Sequence, residues 1–195
     1  LPTLPAKPLA KPLRLIALAR LAPNKRVDHV VRALTLLREQ GCEAELTIIG
    51  WGQDQWRLEA QVNELGLSDA VTFAGRLDDA EKNTELQKAH LLLHTSMREG
   101  WGLNVIEANA MGTPAVVYPV GGLVDSTVHG QTGLVSEAET PESLTTAIIG
   151  LANNPEKYDA MRTAAWQRSF EFHWERVLRP TCDWLENMAS EEPLP

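Results

Sequence analysis

From residue 14 onward the apolar and polar positions alternate between two rhythms. Short, nearly continuous apolar runs at 14–19 (RLIALA), 46–49, 71–74, 91–94 (LLLH) and 115–118 (AVVY) read as strands. The longer stretches between them carry apolar residues at three- and four-residue intervals. Residues 27–40 are predicted to form a helix with Val30, Val31, Leu34 and Leu37 on one face. Helices are also predicted over 55–65, 79–88 and 103–111, the last stopped by Gly112 and Pro114. Strands without polar alternation suit a parallel sheet covered on both faces. With right-handed crossovers the repeat becomes an open, doubly wound α/β domain whose ligands sit beyond the carboxyl ends of the strands. From Pro141 the pattern is helical: 143–152, 155–169, and a last segment bearing Trp174, Val177, Leu178, Trp184, Leu185 and Met188, in which Pro180 is expected to kink or restart the helix.

Ahead of this pattern, residues 1–13 (LPTLPAKPLAKPL) set Pro2, Pro5, Pro8 and Pro12 among few groups able to pack. They read as a semi-rigid linker and a domain boundary, with something preceding them in a parent chain. The expected organisation is a linker over 1–13, a main domain over 14–170 and a helical segment over 171–195. The chain has 195 residues, 44% hydrophobic and 23% charged, enough for one sizeable core. Eighteen Lys and Arg against 26 Asp and Glu leave a net charge of -8, which argues against nucleic acid or an anionic membrane surface as partner. Cys42 and Cys182 show neither pairing nor metal-ligand spacing, which points to a reducing compartment. No apolar run nears the roughly 18 residues of a spanning helix and no signal-peptide order opens the chain, so a cytoplasmic location is expected.

Common nucleotide motifs fail. There is no GxxxxGK[ST], HExxH or GxSxG. Gly50-Trp51-Gly52 lies between a strand and a helix, but Gln55 stands where a dinucleotide fingerprint needs its third glycine, and the strand is the second. Turn glycines fit better than an NAD site. Three loops at strand carboxyl ends carry more. Arg20, Lys25 and Arg26 gather cations ahead of a helix start, where the macrodipole is already positive; either the loop is solvated at a cost of a few tenths of a kcal/mol or an anion resolves the conflict. Gly100 and Gly102 allow close backbone approach at the start of the next helix, a ready anion site. Glu99 precedes that helix and Glu107 lies in its second turn. The two carboxylates either receive hydroxyl groups flanking a phosphate or are a dipole-compensating charge and a surface residue. Gly121-Gly122 forms either an amide nest or a plain turn.

Taken together, these residues resemble the C-terminal, donor-binding half of retaining glycosyltransferases of the GT-B fold (glycosyltransferase family 4, glycosyl transferases group 1). The resemblance runs from about residue 14 to 174. Its most specific element is SxxEGWGLxxxEAxAxGxP, here Ser96, Glu99, Gly100, Trp101, Gly102, Leu103, Glu107, Ala108, Ala110, Gly112 and Pro114. The resemblance implies that Arg20 and Lys25 bind the donor diphosphate, that Glu107 receives the ribose hydroxyls and that Glu99 faces the donor sugar. It also implies that backbone amides of Gly102, Leu103, Gly121 and Gly122 cradle phosphate and sugar oxygens. The backbone at Gly75, Arg76 and Leu77 would read the base edge, with Ser96 as a further contact. Ala19 and Arg26 stand where the family usually has glycine, and Asp125 where it often has Glu; Arg26 either adds a third cation or points to solvent. The implied reaction is sugar transfer from a nucleoside diphosphate with retention, using fixed cations and helix dipoles and no metal or other cofactor. The acceptor site would lie in an absent N-terminal domain, to which the segment over 171–195 crosses; alternatively that segment closes this domain's own core. The competing classes are a nucleotide-sugar binding module without transfer and an unrelated flavodoxin-like or dinucleotide-binding domain. Cytoplasmic location, or membrane association through the N-terminal half, completes the expectation.

Overall fold

The computed structural model describes residues 1–190. Six strands, β1 (Leu13–Leu18), β2 (Ala44–Ile49), β3 (Val71–Gly75), β4 (Leu91–His94), β5 (Ala115–Val117) and β6 (Gly133–Val135), form one sheet in the order β3-β2-β1-β4-β5-β6. Every pairing is parallel. The helices are α1 (Val27–Glu39), α2 (Gln55–Glu64), α3 (Asp79–Lys88), α4 (Leu103–Ala110), α5 (Gly121–Ser126), α6 (Pro141–Ala152), α7 (Pro155–Ser169) and α8 (Trp174–Ser190). The expected doubly wound α/β sheet with C-terminal helices is therefore what forms. The winding reverses between β1 and β4, so a crevice opens at their carboxyl ends.

Burial explains the local choices. Leu15, Ile16, Leu46, Ile48, Leu92 and Val116 are almost wholly buried, and α1 buries the predicted face of Val30, Val31, Leu34 and Leu37 together with Val27 and Ala33. Each such large apolar side chain contributes about 1.5–3 kcal/mol on burial. The polar start of α3 is fixed by a capping box in which Asp78 accepts from the Glu81 amide while the Glu81 side chain accepts from the Asp78 amide. Thr140 with Pro141, and Asn154 with Pro155, start α6 and α7 in the same economical way.

The structure departs from the sequence reading at several places. α5 and β6 were not foreseen, being short and glycine-containing, and α6 begins at Pro141 instead of 143. Pro180 does not restart the last helix: α8 is continuous from Trp174 to Ser190 across it. Residues 1–12 are not a free linker. The Leu1 amino group donates to Ala110 O (3.2 Å), Trp166 Nε1 donates to Leu1 O (3.1 Å) and Arg162 Nη2 to Pro5 O (2.7 Å). The Lys7 ammonium, nearly buried, donates to Ala89 O (2.6 Å) and Thr113 Oγ1 (2.5 Å), so the segment straps α3, α4 and α7 together. Finally, α8 does not close the domain's own core, since Trp174 and Trp184 are 75% and 60% exposed. Residues 191–195 of the expected C-terminal segment lie outside the described residues. No helix among the described residues is long and apolar enough to cross a membrane.

Candidate functional site

The chain leaves β1 in a loop that runs beside the loop after β2. Ala19 N donates to Ile49 O (3.1 Å) and Leu21 N to Trp51 O (3.0 Å). A Cβ at Gly50 would stand 1.9 Å from Ala19 O and one at Gly52 2.1 Å from Leu21 O. These glycines are needed for close approach of two loops, beyond a simple turn. The loops wall a cleft of about 1030 Å³ that also takes in Gly75, Arg76, Leu77 and Lys82. Arg20 lines it, exposed, and has no ion pair among the described residues. Arg76 places its guanidinium 5.7 Å from the Trp51 ring centre, while Gly75, at φ +67°, accepts from Gly50 N at 2.7 Å.

Arg26 corrects the sequence reading: it neither points to solvent nor stands as a third free cation. It adopts a left-handed backbone at φ +48°, a conformation glycine reaches without strain. Its guanidinium donates to Thr95 O (2.9 Å) and Ser96 O (3.2 Å), pairs with Glu139 and covers the Tyr118 ring. Thr95 Oγ1 returns bonds to Lys25 O and Arg26 O at 3.1 and 2.8 Å. The loop after β1 is thereby tied to the loop after β4, across the point where the sheet reverses.

That tie brings Lys25 to Glu99, Nζ to Oε2 at 2.7 Å. Partial burial pushes the Glu99 carboxyl up, but the Lys25 ammonium outweighs it and holds the carboxyl below its ordinary range. The same Oε2 lies 3.2 Å from His94 Nε2, which is 3.0 Å from Ser96 Oγ. His94 ends β4 fully buried, and burial lowers its pKa to about 4 against the pull of Glu99. Gly102, at φ +73°, opens α4; the Val105 amide donates back to Gly102 O (2.9 Å), which leaves the Leu103 and Asn104 amides without a backbone acceptor among the described residues. Leu103 is the exposed first residue of that helix. In its second turn Glu107 accepts from Lys82 Nζ (3.0 Å), and Lys82 also reaches Asp79 (2.9 Å). Asn104 Nδ2 donates to Leu18 O at 2.7 Å, fixing α4 on the end of β1.

The glycine pair is also reassigned. Gly121-Gly122 begins α5 and is neither an open nest nor a plain turn. The Gly122 amide already donates to Glu99 O at 3.1 Å, and a Cβ there would fall 2.4 Å from Glu99 O and from Gly100 C. Gly122 thus lets α5 close on the Glu99 loop, and only the exposed Gly121 keeps the kind of freedom the sequence implied.

Arg20, Lys25, Ser96, Glu99, Gly100, Gly102, Leu103 and Glu107 therefore all stand on loops or a helix start at strand carboxyl ends, with Gly75, Arg76 and Leu77 on the far wall of the cleft. Sequence reasoning missed His94, Lys82 and Asn104. The only signal for His94 was a polar residue ending an otherwise apolar strand. Nothing in the sequence sets Lys82 apart from the other charged residues of α3.

A doubly wound sheet with cations, carboxylates and a helix start at its reversal defines an open α/β domain with a cleft at its strand carboxyl ends. Its family follows from comparison: residues 5–168 match the family described as Glycosyl transferases group 1, and the chain belongs to it. It is 32% identical over 176 residues to a glycogen synthase of Mycobacterium tuberculosis, covering 90% of this chain and 42% of the relative. It is 31% identical over 175 residues to the poly(glycerol-phosphate) alpha-glucosyltransferase of Bacillus subtilis, covering 89% of this chain and 25% of that protein. Among solved structures, the pneumococcal O-GlcNAc transferase GtfA in complex with UDP and GlcNAc superposes with TM-score 0.81 at 23% identity, covering 93% of this chain and 37% of that one. Sucrose-phosphate synthase from Thermosynechococcus elongatus gives 0.81 at 25% identity, with 93% and 47% covered. The chain thus spans less than half the length of these relatives. Family membership sets aside the unrelated flavodoxin-like or dinucleotide-binding domain.

Proposed function

We propose that this chain is the C-terminal, donor-binding domain of a retaining, family 4 glycosyltransferase, which binds a nucleoside-diphosphate sugar and stabilises the diphosphate as it leaves. One observation carries this reading: Arg20 faces the cleft without an ion pair among the described residues, while Lys25, Glu99 and the Leu103 and Asn104 amides at the start of α4 converge on the neighbouring reversal of the sheet. Cleavage of the anomeric bond builds negative charge on the departing phosphate. Fixed guanidinium and ammonium groups and a helix N-terminus meet that charge without reorganising. Lys25 has three N–H donors, so it can keep Glu99 and still donate to a phosphate oxygen. In this arrangement Glu107 accepts from the ribose hydroxyls, Glu99 faces the sugar, and the backbone at Gly75, Arg76 and Leu77 reads the base. Ser96 and the amides of Gly102, Leu103 and Gly121 take the remaining oxygens. With two cations and a dipole on the phosphates, no metal is called for.

The exposed stripe Trp174, Val177, Leu178, Trp184, Leu185 and Met188 on α8 would pack on an N-terminal domain that supplies the acceptor site. The enzyme would work in the cytoplasm, or at a membrane face through that domain. Titration calorimetry with UDP, GDP and ADP, against FMN and NAD as controls, tests the reading. Binding of one or more of the nucleoside diphosphates, in preference to FMN and NAD, is expected. Absence of any nucleoside diphosphate binding, or a preference for FMN or NAD, overturns it.

A further inference from the structure

We propose that His94 is the positioning residue of the site, an Nε2–H donor that sets the Glu99 carboxylate against the donor sugar; the sugar-facing half of this statement rests on the function proposed above. The ring is 4% exposed at the carboxyl end of β4, where an apolar strand has no packing reason to end in a polar side chain. Its Nε2 lies 3.2 Å from Glu99 Oε2 and 3.0 Å from Ser96 Oγ. Its buried Nδ1 makes no hydrogen bond of good geometry. The Asn104 side chain also bears on the ring, so an Nδ1–H would meet at best a neutral amide, whereas Nε2 faces a carboxylate. A carboxylate can only accept, so the contact with Glu99 is favourable only when the proton sits on Nε2. A neutral ring can hold that proton there as one fixed tautomer, and burial keeps this ring neutral at pH 7.

The charged neighbours fit this role. Glu99 is gripped from one side by Lys25 and from the other by His94, through the same oxygen. Lys25 sits on the loop after β1 and would share its donors between Glu99 and a phosphate; His94 sits on the sheet and is engaged with Glu99 and Ser96 at its Nε2. When Lys25 divides its donors between Glu99 and an incoming anion, His94 is the second group that keeps the carboxylate in place. A buried donor on a rigid strand is the kind of support that gives a site its precision.

The test uses the chain as it stands. In ¹⁵N-labelled protein at pH 7, the imidazole spectrum of His94 should show the Nε2–H tautomer, and Glu99→Ala should relax it toward a mixture, because the remaining Ser96 hydroxyl can either donate or accept. An Nδ1–H tautomer in the unsubstituted chain, or a tautomer untouched by Glu99→Ala, overturns the proposal. The second arm compares affinities for UDP and UDP-glucose, and for GDP and GDP-mannose. His94→Leu should lower the gain contributed by the sugar roughly tenfold while the nucleoside diphosphate alone changes little, and His94→Gln, which keeps an N–H donor, should restore most of it. Equal loss for both members of a pair, or no rescue by glutamine, overturns the role toward the sugar. If none of these ligands binds, the proposed function fails, and the tautomer measurement still decides whether His94 holds Glu99.

Discussion

Arg20 and Lys25 share a loop but stand in different electrostatic states. Arg20 is exposed and unpaired among the described residues, so all of its charge is available to a ligand. Lys25 is already engaged with Glu99. Arg20→Ala is therefore expected to weaken nucleoside diphosphate binding by about 10- to 100-fold, the value of one charge-assisted contact, with almost no change in melting temperature. Lys25→Ala should weaken binding less and destabilise the fold slightly, since it leaves the Glu99 carboxylate without its counter-charge; calorimetry and thermal melts read the two effects separately. A pH effect belongs to the same scale. His90 is fully buried with Nδ1 accepting from Arg14 N (2.9 Å), and burial lowers its pKa to about 4, as for His94. The unfolded chain binds these protons near pH 6.5 and the folded chain only near 4, so stability is full above pH 6.5 and is lost as pH falls through that window. Each histidine accounts for roughly 2–3 kcal/mol of the loss. Denaturant midpoints at pH 7 and pH 4.5 check this, and His90→Gln should flatten the slope. The acid–base partners themselves were only half legible in the sequence. Glu99 and Glu107 stood out by their spacing around two glycines, whereas Lys82 comes from α3, 25 residues before Glu107, and His94, though close to Glu99 in sequence, meets it only through the turn of the loop after β4.

At the level of elements, the site is made by loops that touch through glycine. Gly121 and Gly122 look equivalent in the sequence and are not. A Cβ at Gly121 meets nothing within 4 Å, whereas at Gly122 it meets the backbone of Glu99 and Gly100 at 2.4 Å. Gly122→Ala should therefore cost roughly 1–3 kcal/mol, while Gly121→Ala should leave stability unchanged or raise it by up to about 1 kcal/mol. Chemical denaturation of the two variants distinguishes them, and equal losses would contradict the packing described. This asymmetry could not be read from the chain, because it depends on which carbonyl lies opposite. The strands and α1 to α4 were legible, since their apolar periodicity reflects burial on two-sided layers. β6 was not: at three residues it is too short to carry a period. α5 was missed because two glycines and six residues give it little helix propensity of its own, and it is held by tertiary contact. At Pro180 only the expected restart is set aside, since α8 runs on past it from Trp174 to Ser190.

The whole molecule joins a strapped domain to an uncovered face. Lys7 anchors the strap in a nearly dry site, where burial, with Arg162 and Arg14 nearby, pulls its pKa from 10.5 down to about 7. The unfolded chain holds this proton up to pH 10.5 and the folded chain only to about 7, so stability should rise between those values as the penalty for burying the charge disappears. Lys7→Met should remove that rise, measured as the difference between the two chains' melting temperatures across pH 7 to 10. At the other end of the chain, α8 leaves Trp174, Val177, Leu178, Trp184, Leu185 and Met188 open to water. The cleft is likewise bounded by the carboxyl ends of a single sheet, and the chain spans only 42% of the glycogen synthase relative. Half of the cleft wall, the acceptor contacts and the exclusion of water would then have to come from a second domain. This chain by itself is accordingly expected to bind its donor nucleotide weakly and to transfer no sugar. Joined to an upstream domain, it should gain transfer activity, and the fluorescence of Trp174 and Trp184 should shift to the blue as α8 is covered. An assay of the isolated chain with UDP-glucose and GDP-mannose over mixed acceptors decides the matter: turnover near 1 s⁻¹, the low end for ordinary enzymes, would show that one sheet suffices and that α8 exposes its tryptophans for some other reason.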